Sequence, residues 1–460
     1  MENDTGLDSE YVTRLIEDDR RFVWHPFTQM RDWYEEEPLI IASGKGAALQ
    51  DIHGREYIDG VASIWTNVHG HRREEIDRAV RDQLSKVSHT TLLGLANVPS
   101  IELARKLVEI TPAGLSRVFY SDNGSTAVEV AVKMAFQYWR QKPDPRPGKT
   151  TFVSFTNAYH GDTIGAVSLG RIDLFHEVFA PLLFRTHRAY YPYCYRCQYD
   201  KSYPSCGVHC LCSIEEILEK RHEKIAAIVI EPMVQGAGGM IVSPADFLKR
   251  VRELATRYDV LLIADEVATG FGRTGKMFAC EHAGVSPDLM ALGKGLTGGY
   301  LPVAATLACD KVYNAFLGDY SEKRTFFHGH TYTGNPLGCA AAVASIELFE
   351  RDNVPDAVER KAAFLAERLD RLRGIDHVGD VRQLGLMVGI ELVRDKRTRQ
   401  PYAWDERIGT KTVKEARARG VILRPLGNVI VLMPPLSISE EQLAAVVEVT
   451  EVSIQAATIT

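Results

Sequence analysis

The stretch Val260-Leu-Leu-Ile-Ala-Asp265-Glu266-Val267 consists of five apolar residues that end abruptly in two carboxylates. A short, continuous apolar run is typical of a parallel strand that is covered on both faces. Asp265 then lies at the carboxyl end of this strand, which is where ligands bind in open α/β sheets. Taken alone, the two acids are also compatible with solvated residues at the end of a strand.

Similar apolar runs alternate with helical patterns through the middle of the chain and predict a doubly wound α/β core. The predicted strands are 118–120, 151–155, 226–230, 260–264 and 289–292. The two chain ends differ, because alternation around the turn 53–54 predicts a hairpin and the C-terminal part mixes helices with short strands. We therefore predict that residues 61–340 form a large domain, and that 1–60 join 341–460 in a smaller α+β domain.

The composition is that of an ordinary globular protein, with 45% hydrophobic and 25% charged residues among 460. A net charge of −6 creates no field that attracts nucleic acid or an anionic membrane. No apolar run approaches the ~20 residues that span a bilayer. The start, Met1-Glu2-Asn3-Asp4, is acidic, unlike a secretory signal. We expect a cytoplasmic enzyme with neither nucleic acid nor a membrane as a partner.

A lysine flanked by glycines, Gly293-Lys294-Gly295, follows the apolar run 289–292. Flanking glycines let the backbone approach a ligand closely. A lysine in an apolar pocket has a depressed pKa and can form a Schiff base. For any single lysine, however, a solvated position in a glycine turn is the commoner interpretation.

Two further polar segments follow predicted strands. Gly124-Ser125 precedes an amphipathic helical pattern, so its amide groups lie at a helix N-terminus, which favours a phosphate. Ser125 is also compatible with a simple N-cap. Tyr159 follows the strand 151–155 and offers a platform for a flat cofactor, unless it is only a half-buried loop tyrosine. Together with Asp265 and Lys294, these residues predict a pyridoxal phosphate site with an acidic partner for the pyridinium nitrogen.

The segments 262–275, 293–295 and 329–331 resemble the class III pyridoxal-phosphate aminotransferases, and the resemblance covers about residues 24–435. It implies a fold-type I transferase whose large domain holds a mostly parallel, seven-stranded sheet covered by helices. The implied catalytic residues are Lys294, Asp265 and Tyr159; the implied cofactor-binding residues are Gly124, Ser125, Tyr159, Asp265, Lys294, His330 and Thr331; and the implied substrate-binding residues are Phe27, Ile64, Trp65, Tyr159, Lys294, Gly329 and Arg424.

The resemblance also implies a homodimer, since Thr331 matches a phosphate ligand that the second subunit donates. The segments 24–30, 159–166 and 231–240 resemble the branch that aminates 8-amino-7-oxononanoate in biotin synthesis. The substrates it implies are a keto acid and an amino donor. The alternative within the class is a broad ω-amine or diamine:pyruvate aminotransferase.

Three positions depart from the branch that uses S-adenosylmethionine as its amino donor. Phe27 stands where that branch has Tyr, Ile64 where it has Trp, and His330 where it has Pro. These residues are more similar to the branch that uses lysine. The donor is therefore S-adenosylmethionine or lysine, and the three residues favour lysine.

Five cysteines fall between residues 194 and 212, but their spacing is unlike the paired spacing of a zinc knuckle. The family needs no metal for catalysis, and we predict no metal site. A nicotinamide-binding oxidoreductase is suggested only by Gly236-Ala-Gly238-Gly239, which lacks the Gly-x-Gly-x-x-Gly spacing.

Overall fold

A seven-stranded sheet forms the centre of the computed structural model, which describes residues 7–170 and 172–459. Its strands, in spatial order, are Leu115–Ser121, Ala304–Cys309, Leu289–Leu292, Leu261–Asp265, Ile225–Ile230, Thr151–Phe155 and His187–Ala189. Ala304–Cys309 runs antiparallel to both of its neighbours, and the other pairs are parallel. The carboxyl ends of the parallel strands therefore meet at one edge. The acidic start Met1–Asp4 lies outside the described residues.

Three central strands, Ile225–Ile230, Leu261–Asp265 and Leu289–Leu292, are buried at every position, which explains their continuous apolar sequences. Helices pack on or beside the sheet, and Gly124–Gln141 begins directly after the carboxyl end of the strand Leu115–Ser121. The longer helices of this part of the chain are Glu74–Leu84, Val98–Ile110, Gly124–Gln141, Cys212–Arg221, Ala245–Arg257 and Pro336–Arg351, and the shorter ones are Ala62–Trp65, Ile164–Leu169, Asp173–His176 and Asp310–Asn314.

Two smaller sheets are built from the chain ends. One contains Ile41–Lys45, Ala48–Asp51 and Glu56–Asp59, and Val421–Ile422 joins it in parallel by pairing Val421 with Ile58. The other is antiparallel and contains, in order, Val378–Leu384, Met387–Asp395, Val429–Leu432 and Arg424–Leu426, with Gln400–Pro401 paired to the second strand. The accompanying helices are Ser9–Phe22, Val354–Leu372, Ile408–Ala418 and Glu440–Thr458.

Helix Pro336–Arg351 runs through the boundary predicted at residue 340, and the division into 1–60, 61–340 and 341–460 stays a prediction. The cysteine-rich segment 190–211 contains only two short 3₁₀ turns. Within residues 7–170 and 172–459, no helix is both long and apolar enough to cross a membrane.

Candidate active site

A cleft of about 490 Å³ opens at the carboxyl edge of the central sheet. Nine of the residues predicted for the site line it: Phe27, Ile64, Trp65, Gly124, Ser125, Tyr159, Asp265, Lys294 and Arg424. They come from both chain ends as well as from the sheet, so the cleft lies where the small sheets meet the large one. The fold thus brings together residues that are almost 400 positions apart along the chain.

The two acids that end the strand Leu261–Asp265 have different surroundings. Asp265 lines the cleft and is 5% exposed, while Glu266 is fully buried and is absent from the residues that line it. Glu266 accepts hydrogen bonds from the amides of Ala279 at 3.0 Å and Cys280 at 2.8 Å. Glu266 therefore holds the following segment in place, and only Asp265 faces a ligand.

A buried histidine contacts Asp265. His160 Nδ1 lies 2.7 Å from Asp265 Oδ2, and Asp265 Oδ1 accepts the Val267 amide at 3.1 Å. Because a carboxylate only accepts, Nδ1 carries the proton of this hydrogen bond. His160 Nε2 is buried and has no partner among the described residues. These two hydrogen bonds fix the orientation of the Asp265 carboxylate. No motif in the sequence predicts this role for His160.

Lys294 follows the neighbouring strand Leu289–Leu292, whose Ala291 pairs with Asp265. Its Nζ lies 4.7 Å from the centre of the Trp65 ring, and its backbone has a φ of 43°. Burial lowers the pKa of Lys294 from 10.5 to about 8, although the Asp265 and Glu231 carboxylates raise it in part. About a tenth of this amine is therefore neutral, and nucleophilic, at pH 7, far more than for a lysine with the ordinary pKa.

The helix Gly124–Gln141 presents its N-terminus to the cleft. Asn123 Oδ1 accepts the Thr126 amide at 3.1 Å and caps the helix. The amides of Gly124 and Ser125 have no acceptor among the described residues, and both residues line the cleft. A Cβ on Gly124 would lie 2.5 Å from Val267 Cγ1, so only glycine fits there. The turn thus offers free donors at the positive end of a helix dipole.

Tyr159 and Arg424 stand together in the cleft wall. The Tyr159 hydroxyl donates to Asp162 Oδ2 at 2.7 Å, and burial raises the pKa of Tyr159. Arg424 begins the strand Arg424–Leu426, and burial lowers its pKa while the nearby Tyr159 acts in the opposite direction. The Arg424 side chain makes no hydrogen bond or ion pair within the described residues, so its guanidinium is available to an anion.

A buried carboxylate that the sequence analysis did not single out completes the wall. Glu231 lines the cleft and accepts the amides of Tyr159 and Gly236, each at 3.0 Å. Burial raises its pKa to about 7, and the Asp265 carboxylate acts in the same direction. The only signal in the sequence was its place directly after the strand Ile225–Ile230, which is the same signal that identified Asp265.

Three predicted residues lie away from the lining of the cleft: Gly329, His330 and Thr331. Gly329 and Thr331 are exposed on the loop that leads to helix Pro336–Arg351. His330 Nδ1 lies 2.8 Å from Oδ2 of Asp122, which does line the cleft. Within this single chain, His330 therefore acts on the cleft only through Asp122.

The residues in the cleft fit pyridoxal phosphate by their chemistry: free helix N-terminal amides, a strand-end carboxylate and a buried amine with a lowered pKa. Elsewhere, all eight cysteines are free thiols. The described residues contain no group of three or more His, Cys, Asp or Glu side chains able to hold a metal ion.

Comparisons with known proteins agree with this geometry. The family model "Aminotransferase class-III" matches residues 30–454. The chain is 57% identical to the adenosylmethionine-8-amino-7-oxononanoate aminotransferase of Geobacter sulfurreducens, covering 98% of this chain and 99% of that protein. It is 52% identical to the protein of the same name from Aquifex aeolicus, covering 94% of each.

Solved structures give the same result. The adenosylmethionine-8-amino-7-oxononanoate aminotransferase of Methanocaldococcus jannaschii superimposes with a TM-score of 0.92 at 45% identity, covering 97% of this chain and 99% of that one. A PLP-bound amine transaminase from an uncultivated Pseudomonas species gives 0.90 at 38% identity, covering 95% and 98%. The predicted fold type, transaminase activity and pyridoxal phosphate cofactor are thereby confirmed. The chain belongs to the class III aminotransferases.

Proposed function

We propose that the chain transfers an amino group to the keto carbon of 8-amino-7-oxononanoate and so makes 7,8-diaminononanoate for biotin synthesis. The observation that carries the proposal is that Lys294 and Asp265 end adjacent parallel strands and face one cleft. The relatives with 52% and 57% identity over nearly the whole chain, which bear the name of this activity, support the choice of acceptor.

Four groups would hold the cofactor. The amides of Gly124 and Ser125 face its phosphate, Asp265 faces the ring nitrogen, Tyr159 flanks the ring, and Lys294 binds it covalently. When bound, pyridoxal phosphate supplies a ring that withdraws electrons from the substrate carbon bearing the nitrogen. Asp265 keeps the ring nitrogen protonated, and His160 keeps the Asp265 carboxylate oriented toward it.

Lys294 also transfers a proton to and from the substrate. With a pKa of about 8, its amine is present in both protonation states near neutral pH, so it can accept a proton from a substrate carbon and return it. The Trp65 ring, 4.7 Å from Nζ, limits where the amine can go once the substrate has displaced it.

Arg424 is proposed to bind the substrate carboxylate. It is a half-buried cation without a partner among the described residues, and it lines the cleft beside Tyr159. A hydrogen bond between this guanidinium and a carboxylate contributes roughly 1.5–3 kcal/mol to the binding free energy. The acceptor carries its carboxylate at one end, so this contact sets which end of the substrate enters the cleft first.

The proposed assembly is a homodimer in which Thr331, with its neighbours Gly329 and His330, serves the site of the second subunit. Support comes from the exposure of this loop and from large apolar side chains that a monomer leaves in water: Trp24 at 87%, Leu93 at 79% and Phe327 at 79%. A cytoplasmic location belongs to the same proposal, because the eight cysteines are free thiols, as in a reducing compartment.

Borohydride reduction of the cofactor-loaded protein, followed by peptide mapping, tests the proposal. We expect the label on Lys294, and we expect the folded variant Lys294→Ala to lose the label and transamination. Lys149 is the internal control, because burial also lowers its pKa to about 8 although it lies outside the cleft. A label on Lys149, or transamination by Lys294→Ala, would contradict the assignment.

Two amino donors are candidates, and each is favoured by one observation. The names of the relatives favour S-adenosylmethionine. Phe27 and Ile64, which line the cleft without the phenol and the indole of the S-adenosylmethionine pattern, favour lysine. We expect that lysine supports diaminononanoate formation at least as well as S-adenosylmethionine at a matched concentration. Turnover with S-adenosylmethionine and none with lysine would show that these residues do not set the donor.

The acceptor is tested separately, because several structural neighbours are ω-transaminases at 31–33% identity. Pyruvate and 8-amino-7-oxononanoate are supplied in turn with a saturating amino donor. We expect a much higher kcat/KM with 8-amino-7-oxononanoate. Equal values would favour the broad ω-amine aminotransferase instead.

A further inference from the structure

Four consecutive residues, of which the last two line the cleft, have a left-handed backbone. The φ values are 48° at Ala62, 47° at Ser63, 66° at Ile64 and 73° at Trp65. None of the four is glycine, and a Cβ makes this conformation unfavourable at each of them. Such a turn persists only when its surroundings hold it, and residues of this kind cluster at functional sites.

The carboxylate of Asp59, just before this turn, holds it. Asp59 is fully buried; its Oδ1 accepts the amides of Val61 at 3.2 Å and Ser63 at 3.1 Å. Its Oδ2 lies 3.0 Å from both Ser63 Oγ and His71 Nε2. Burial alone would raise the pKa of Asp59, yet the hydrogen bonds from His71 and Ser63 keep it below its ordinary value. The carboxylate is therefore ionised and uses both oxygens to fix the turn.

The turn carries two side chains of the cleft. Ile64 is 48% exposed on the cleft wall, and the Trp65 ring lies 4.7 Å from Lys294 Nζ. The backbone after the turn is tightly enclosed, because a Cβ on Gly299 would lie 3.1 Å from the Asn67 amide nitrogen. A relaxation of the turn to a right-handed conformation would move Ile64 and Trp65 out of their present places.

We propose that Asp59 is a positioning residue for the substrate-facing wall: its buried carboxylate holds residues 62–65 in the left-handed conformation that places Ile64 in the lining of the cleft and Trp65 against the reacting lysine. This inference rests on the proposed function, since it assumes that the cleft binds the substrates. Asp59 itself does not line the cleft and contacts neither cofactor nor substrate.

The test compares Asp59→Ala with Asp51→Ala. Asp51 is a matched control, because it is also buried in the N-terminal sheet and accepts hydrogen bonds from the His53 and Arg55 amides and from the Tyr57 hydroxyl. It lies outside the cleft lining. We expect both variants to lose thermal stability, and only Asp59→Ala to raise KM for the keto acid, by about tenfold to hundredfold.

A second-site rescue separates positioning from folding. Glycine adopts positive φ without a Cβ penalty, so Ser63→Gly should recover a severalfold share of the lost kcat/KM in the Asp59→Ala background. Equal KM values for Asp59→Ala and Asp51→Ala, or no recovery with Ser63→Gly, would overturn the proposal. If Asp59→Ala does not fold, the same comparison is made with Asp59→Asn, which keeps the volume and removes the charge.

One readout does not depend on transamination. When Trp65 is displaced, water reaches Lys294 and its pKa rises from about 8 toward 10.5. Competitive acetylation of the apo protein at several pH values measures this pKa in the Asp59 variants and in Asp51→Ala. A rise in the Asp59 variants alone supports the positioning role even when the natural substrates differ from those proposed, and an unchanged pKa in all variants contradicts it.

Discussion

Replacing Asp265 with asparagine removes a carboxylate that raises the pKa of Lys294. Asparagine keeps the shape and one oxygen that can accept the proton of His160 Nδ1, so the local geometry should survive. In this variant, the lowering of the Lys294 pKa by burial is opposed only by the Glu231 carboxylate. The pKa of Lys294 should therefore fall below its value of about 8, not rise toward that of an ordinary lysine.

The size of the effect follows from the shift in the native chain. A move from 10.5 to about 8 corresponds to about 3 kcal/mol against the charged amine. At pH 8 about half of Lys294 is neutral, compared with ~0.3% of a lysine with the ordinary pKa. A neighbouring carboxylate changes a pKa by ~1 unit. The variant should thus titrate near pH 7 and bind carbonyl compounds through Lys294 at a lower pH than the native chain.

Competitive acetylation of the apo protein measures the titration directly. Trace reagent is added at pH 6 to 11, the labelled peptides are quantified by mass spectrometry, and a free amino acid serves as the standard. We expect half-maximal labelling of Lys294 near pH 8 in the native chain and about one unit lower in Asp265→Asn. Half-maximal labelling above about pH 10 in the native chain, or an upward shift in the variant, would refute the electrostatic argument.

Three other substitutions test separate parts of the structure. Arg424→Met should raise KM for the keto acid by about tenfold to hundredfold while kcat changes less, because a contact to the carboxylate is lost in both ground and transition states; steady-state kinetics decide this. Gly161→Ala places a Cβ 1.9 Å from Ser125 Oγ and should weaken pyridoxal phosphate binding, which titration of the apo protein by absorbance measures. The buried Lys149, whose Nζ donates to three backbone carbonyls, has a pKa lowered by burial to about 8. Folding stability therefore rises between pH 8 and 10.5, where the unfolded state binds more protons. Urea unfolding of Lys149→Met should show lower stability at pH 7 and lose up to about 3 kcal/mol of that pH dependence.

The strand-end residues were predictable because each interrupts an apolar run. The runs that end at Asp265 and before Lys294 are buried at every position, so their first polar side chains had to emerge at the carboxyl edge. Ser125 was predictable for the related reason that a capped helix begins there. These arguments are local, and they need no knowledge of which strands are neighbours.

Other features depend on tertiary contacts that the sequence does not show. The strand Ala304–Cys309 is short and rich in alanine, so it has no β-branched run to identify it, and pairing with two neighbours decides its structure. The contact between His160 and Asp265 joins residues 105 positions apart. The left-handed turn at 62–65 contains no glycine, and the hydrogen bonds of the buried Asp59 carboxylate that help to hold it are not visible in the sequence.

The cleft contains two titratable groups whose pKa values lie close together near neutrality. Burial raises the pKa of Glu231 to about 7 and lowers that of Lys294 to about 8, and the Glu231 carboxylate acts on Lys294 by raising its pKa in part. Below pH 7, protonation of Glu231 removes a negative charge and so favours the neutral amine of Lys294. This effect partly offsets the direct protonation of the amine by acid. Above pH 7, the ionised Glu231 makes Lys294 harder to deprotonate. The neutral fraction of Lys294 should therefore change less steeply between pH 6 and 9 than that of an isolated amine, because a buried carboxylate titrates beside it.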